Sequence, residues 1–373
     1  MAKRIEYIDI ARGIGILLVV LGHNDFGFIS PFGYQVIYSF HMPLFFFLSG
    51  FFLNPSIPFF EFLKKRFNSL LKPYLFTLFM IYFTSISFEK MSFQTAITRI
   101  VKSLYGTGRY IDWVQLWFLP HLFVVSLYAF FFFAIVGKSN SRLFRWVILI
   151  GTLGTASLFL DSFYPFSLSA LGKDYELFGL PFSLDLVLLS GFFFILGSEI
   201  RHITSEDMFG NLFLLVGTGL AVILLNVFFS ARIDFNTRLY ESFPINTLEA
   251  IVGIIFILAL SRQIELRTQK LAALFKYFGQ ISLIILLFHV PIQDFWGQKI
   301  NAVTGNLPLS IWIGFFMGVA GSVLIYELFI KSNPVASFWL GREAVPPEKK
   351  ETHQPVSNEM SPTQETGTAA QHK

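Results

Sequence analysis

The sequence predicts an all-α polytopic membrane protein of about ten transmembrane helices, with both termini in the cytoplasm. Three observations predict it. Of 373 residues, 54% are hydrophobic and only 14% charged, where soluble domains carry about 25% charged residues. The mean hydropathy is +0.61, and no water-soluble core could cover that much apolar surface. Apolar runs recur near the roughly 20 residues with which a helix crosses a bilayer, satisfying its own backbone groups. Runs alternating at every second residue, the mark of a membrane β-barrel, are absent.

The runs lie at 10–30, 32–53, 70–88, 116–136, 143–160, 181–198, 212–229, 245–260, 274–292 and 309–330. Arg12 and His23 interrupt the first, and no small-residue cleavage site follows it, so it reads as a retained span and not as a signal peptide. With the N-terminus inside, the outer side keeps eight basic residues: Lys90, Arg99, Lys102, Arg109, Lys173, Arg232, Arg238 and Lys299. The rest, including the cluster Lys64, Lys65, Arg66 and Lys72, fall inside, as the positive-inside rule requires. The net charge of +4 therefore reports orientation, and no nucleic-acid partner is expected.

Two connections read as surface helices. Phe93, Ile97, Ile100, Val101 and Leu104 recur at helical spacing opposite Arg99 and Lys102 on the outer side. Phe59, Phe60, Leu63 and Phe67 do the same around Lys64 to Arg66 on the inner side. Residues 1–331 read as one transmembrane unit, and the polar stretch 332–373 as a disordered cytoplasmic tail.

The first span carries the most informative pair. Arg12 and His23 are eleven residues apart, which returns a helix to within about 20° of its starting direction, so both face one way about 16 Å apart along the axis. Ionisable groups inside a membrane cost enough to ask for a reason. Arg12, one turn from Asp9, also fits a residue that snorkels to the headgroups. Gly13, Gly15 and Gly22 allow close helix packing and do not form a nucleotide fingerprint.

The topology places His41, His121 and His289 in the outer half of the membrane with His23, and Asp25, Asp185, Glu249 and Asp294 join them there. A polar chamber of imidazole and carboxylate can take a proton from a hydroxyl near pH 7. No histidine pair sits at i,i+4 and there is no cysteine, so no metal site is expected. The lack of cysteine also excludes disulfides and a cysteinyl thioester. Trp117, at the outer interface, fits a belt residue or a platform for a sugar ring.

Arg12 and His23, followed by FHMPLFFFLSGFFL at 40–53, resemble the acyltransferase family 3 of multi-pass membrane proteins, and within it the fucose 4-O-acetylase-like members. LLKPYLF at 70–76, LWFLP at 116–120 and GQISLIILLFHVPI at 279–292 carry the resemblance through nearly all of the span region. The resemblance implies transfer of an acyl group, usually acetyl, from cytoplasmic acyl-CoA to a sugar hydroxyl of a surface or exported glycan at the cell membrane, with no bound cofactor. It implies Arg12 near the coenzyme A phosphates and His23 as general base, both in keeping with their chemistry. Arg66, Lys65 and Lys72 are further candidates for coenzyme A. Where the family commonly has a second basic residue, three positions beyond Arg66, this chain has Ser69. His41, Asp25, His289, His121, Glu249 and Trp117 are candidates for acceptor binding. A polytopic exporter of a glycan or small solute, or a non-catalytic partner of a polysaccharide synthase, would use the same polar layer differently. The sequence sets no oligomeric state.

Overall fold

The computed structural model describes residues 5–341 apart from 140, 171, 202–205 and 230. Helix α1 (Glu6–Gly22) and α3 (Pro31–Gly50) form a hairpin joined by the short α2 (Phe26–Ile29). α1 stops at His23 because Asn24 turns its own backbone: Asn24 Oδ1 accepts from the Phe26 N–H at 3.0 Å, a local bond that competes with helix. Ser30 then caps α3 by accepting from the Gly33 N–H at 3.3 Å, and Pro31 occupies the first turn, where its missing donor leaves nothing unsatisfied.

α4 (Phe59–Arg66) continues through a wide π turn, Phe67–Leu71, into α5 (Lys72–Ser87). The wide turn falls where Pro73 withholds the donor that the Ser69 carbonyl would otherwise take. Residues 59–67 are therefore the beginning of a long helix and not the separate surface helix expected from their pattern. α6 (Phe93–Leu104) forms as expected, capped by Ser92, with Phe93, Ile97, Val101 and Leu104 exposed on one face. Ser103 ties it to α5 by accepting from Tyr74 at its carbonyl and by pairing its hydroxyl with Tyr82 at 2.7 Å.

α7 (Phe118–Ile135), α8 (Arg142–Phe159) and α9 (Val187–Arg201) follow. Between α8 and α9 lies an antiparallel hairpin, β1 (Phe166–Ala170) with β2 (Lys173–Leu177), that the sequence reading did not foresee. The one-turn α10 (Glu206–Phe209) leads into α11 (Leu212–Phe228). A second small hairpin, β3 (Ile233–Asp234) with β4 (Leu239–Tyr240), precedes α12 (Ile245–Arg267). α13 (Gln269–Gln280) and α14 (Ser282–Thr304) meet at a 79° bend, and α15 (Leu307–Ile325) returns beside α14.

All ten apolar runs fall on helices, and the fold is an all-α membrane bundle. By length and apolarity, six helical stretches among the described residues can cross a membrane, or seven if α13 and α14 count as one span. α1 and α11, at 17 residues each, are about 26 Å long, short of the roughly 30 Å of hydrocarbon. α3 is long enough but interrupts its apolar surface with Tyr34, Gln35, Tyr38, Ser39 and His41. The ninth run, 274–292, straddles the bend, so its two halves point in different directions. α8 and α11 bury little and turn Leu143, Val147, Ile150, Phe213, Val216 and Leu220 outward, as helices facing lipid must.

α1 runs through the middle, packed on α3, α12, α13 and α14. Its crossing with α13 brings backbones together: a Cβ on Gly13 would lie 1.9 Å from the Phe275 carbonyl oxygen, and one on Gly279 2.0 Å from that of Asp9. At the chain's end, α16 (Pro334–Trp339) folds back on the bundle, Trp339 stacking on Phe76 at 5.8 Å. The folded unit thus extends past the expected boundary at 331. Residues 342–373 of the expected tail lie outside the described residues.

Candidate active site

Arg12, Ile16 and Val19 of α1 and His23, which caps it, line one cavity of about 350 Å³. Their spacing of four, three and four is one helical stripe, so the helix period alone puts them on the same wall. The cavity is enclosed by α1, α3, the α4–α5 stretch, the start of α7 and the α13–α14 bend. Arg12 and Arg66 stand toward the face where α1 begins. A shaft walled by Ile16, Val19, Met42, Phe45, Leu122 and Leu283 follows, and His23 and Gln115 stand toward the other end.

The two guanidinium groups differ in their partners. Arg12 Nη1 lies 3.7 Å from Asp9 Oδ1, and its guanidinium faces the Phe52 ring at 5.5 Å. Arg66 lies against the rings of Phe62 and Phe194 at 5.2 and 6.0 Å, with no carboxylate in ion-pair range among the described residues. Ser69 lines the same wall. Lys65 is directed elsewhere, paired with Glu61 at 2.8 Å, and the Lys72 ammonium sits 3.8 Å from the Phe338 ring centre. Neither lysine lines the cavity.

His23 caps α1, its N–H bonded to the Val19 carbonyl at 3.0 Å. Among the described residues no hydrogen bond engages either nitrogen of its ring, which stands at the junction of the first cavity with a second of about 160 Å³. The His289 ring lies 5.4 Å away. His289 Nδ1 donates to the Ile285 carbonyl at 2.7 Å, which fixes the tautomer and leaves Nε2 as an acceptor, fully buried and without a partner among the described residues. His41 is held the same way, Nδ1 to the Ile37 carbonyl at 2.8 Å, with its ring against Tyr38. Tyr38 in turn donates to the Gly22 carbonyl at 3.1 Å, bracing the turn that ends at His23.

His121 sits apart from this group. Its ring nitrogens face the Phe182 carbonyl at 3.1 Å and Ser190 Oγ at 2.9 Å, and Trp117, which does line the first cavity, stacks on it. Glu249 is 1% exposed with neither carboxylate oxygen hydrogen-bonded among the described residues, and it lines neither cavity. Asp185 forms a buried two-pronged pair with Arg238 at 2.8 and 3.1 Å that ties the entry to α9 to the β3–β4 loop. Asp25 and Asp294 line the second cavity.

Three residues that the sequence reading passed over belong to the site. Pro291 lacks the donor that the Leu287 carbonyl would take in a helix, and Gln115 Nε2 supplies it from α7's entry at 3.1 Å. Gln293 Nε2 donates to the His23 carbonyl at 2.9 Å, holding α14 against the end of α1. Both glutamines keep a buried Oε1 with no partner among the described residues. Asp234, on β3, acts on the His23 ring only through its charge, an effect smaller than that of the ring's burial. It is carried inward by Phe235, whose ring packs between Phe46 and Phe193 at 5.7 and 6.4 Å. A proline inside an apolar run marks a carbonyl in need of a donor, and a phenylalanine inside a polar loop marks a point of insertion; both signals are present in the sequence.

Among the described residues no group of three His, Asp or Glu is placed to hold a metal ion. The arrangement offers cations toward one end, an apolar stretch between, and toward the other end an imidazole whose ring has no hydrogen bond among the described residues. No curated protein and no solved structure matches the chain. The model of the acyltransferase domain of family 3 matches residues 5–327, which spans the stripe, both cavities and nearly every described helix, and the chain belongs to that family of membrane acyltransferases.

Proposed function

We propose that the protein is an O-acetyltransferase of the cell membrane that moves an acetyl group from cytoplasmic acetyl-CoA to a sugar hydroxyl of a cell-surface or exported glycan. One observation carries the reading: Arg12 on α1 and His23 at its cap continue a single helical stripe and line one cavity, a guanidinium toward one end and an imidazole toward the other. A guanidinium binds phosphate oxygens in two-pronged fashion, and Arg66 beside it offers a second. The apolar shaft suits the uncharged arm that carries the thioester, about 16 Å from Arg12 to His23 by helix rise.

At His23 the acceptor hydroxyl loses its proton to the imidazole as its oxygen attacks the thioester carbonyl carbon. The tetrahedral intermediate collapses, the C–S bond breaks, and the imidazolium returns its proton to the departing thiolate. Ester and free thiol leave, and His23 is neutral again. Gln115 and Gln293, which line the cavities here and keep an Oε1 without a partner among the described residues, suit an acceptor that brings hydroxyl donors. Lys65 and Lys72 have no part in this scheme.

The test is transfer of labelled acetyl from acetyl-CoA to glycans by membranes containing the wild type, His23→Ala or Arg12→Ala at matched expression. His23→Ala is expected to lose about 10²–10⁴-fold in kcat. Arg12→Ala is expected chiefly to raise the KM for acetyl-CoA. Equal labelling by all three proteins removes both roles.

A further inference from the structure

Beyond His23, on the side away from Arg12, the second cavity has a character opposite to the first. Asn24, Asp25, Gln293, Asp294, Gln298 and Asn301 line it, and it holds two carboxylates and no lysine or arginine. Gln293, which lines the cavity, is 2% exposed, and its Oε1 has no hydrogen-bond partner among the described residues. A lining side chain with an unmet acceptor favours an occupant that brings hydrogen-bond donors. The volume of about 160 Å³ corresponds to about five waters at roughly 30 Å³ each, which is space for one sugar residue and not for an oligosaccharide.

We infer that this second cavity seats the reacting sugar of the acceptor and selects its charge: a neutral or amino sugar enters, and a uronic or other acidic sugar is turned away. The inference rests on the acyltransferase reading for its purpose, but its physical content is binding. The amides and carboxylates accept from sugar hydroxyls or an ammonium group. A sugar carboxylate would meet Asp25 and Asp294 with no cation in the cavity wall to compensate, a repulsion that low-dielectric walls strengthen. His23 forms the floor, so a hydroxyl seated here faces the base directly, while the donor arrives from the opposite side.

The test is equilibrium binding to the purified full chain in lipid nanodiscs. The probes are two matched oligosaccharides, one with a terminal glucose and one with a terminal glucuronate, measured by saturation-transfer NMR and by titration. The wild type is expected to bind the neutral probe roughly tenfold more tightly. Asp25→Asn/Asp294→Asn removes two acceptors that the sugar uses, so it is expected to bind the neutral probe more weakly than the wild type does and to bring the acidic probe to within about threefold of the neutral one, with unshifted thermal unfolding reporting a folded chain. Equal affinities in the wild type, a preference for the acid, failure to bind either probe, or an unchanged ratio in the double variant would overturn the inference. Transfer of labelled acetyl is followed in the same samples. Charge-selective binding without transfer would remove the acetyltransferase reading and leave the sugar site standing.

Discussion

His23 owes its position to its neighbours in sequence and its environment to residues far from it. Asn24 ends the helix at His23, Gln293 holds its carbonyl at 2.9 Å, and burial, partly offset by the charge of Asp234, governs its ring. Asp234 bonds the Asn236 and Thr237 N–H groups and makes no direct bond to the imidazole, so it acts as a positioning residue. In the proposed mechanism its carboxylate would stabilise the imidazolium that forms as the hydroxyl is deprotonated. Asp234→Asn is therefore expected to lower kcat roughly tenfold, the effect of losing about 1.4 kcal/mol, while leaving the KM for acyl-CoA unchanged. Asp234→Glu should restore part of the rate. Steady-state kinetics of the three proteins decide it, and a wild-type kcat in Asp234→Asn would dismiss the role. Arg12 and His23 were legible because helix period alone fixes their relation. Asp234 was not, because nothing local in a polar loop says that Phe235 will draw it into the bundle.

At the scale of elements, the cavity exists because α1 and α13 cross with their backbones in contact and α14 then turns away by 79°. Gly13 and Gly279 make that crossing possible. Gly279→Val adds a side chain whose Cβ would meet the Asp9 carbonyl oxygen at 2.0 Å, so the helices must separate. The expected cost is about 1–3 kcal/mol of stability, with loss of most activity as the wall carrying Arg12 shifts. Gly151 on α8, where an added Cβ meets nothing within 4 Å, is the control: Gly151→Ala should leave both thermal unfolding and transfer unchanged. Equal melting of the two variants would show that the crossing does not brace the fold. The bend itself was hidden in the sequence, since the run around Ile281 keeps the mean hydropathy of a span despite Gly279, Gln280 and Ser282, and hydropathy does not record direction. The π turn at Phe67–Leu71 was hidden for a related reason: the pattern at 59–67 fits a surface helix whether or not it continues.

Across the whole molecule, the fold class followed from composition, because no other architecture satisfies so apolar a backbone. The number of helices that cross by their own length was harder to read. The short α1 and the polar α3 sit among other helices, where protein and not lipid meets their polar groups. That is the same arrangement that lets a guanidinium and an imidazole occupy one helix. The two cavities abut at His23, with cations at the far end of one and carboxylates in the other. The account is therefore one of two substrates arriving from opposite sides of a membrane and meeting at one residue. Reconstitution into sealed vesicles of known orientation tests it most directly, with acetyl-CoA confined to one side and a glycan acceptor to the other. Transfer is predicted only when acetyl-CoA is on the side where α1 begins and the glycan is opposite. Transfer that requires both substrates on the same side would contradict the account.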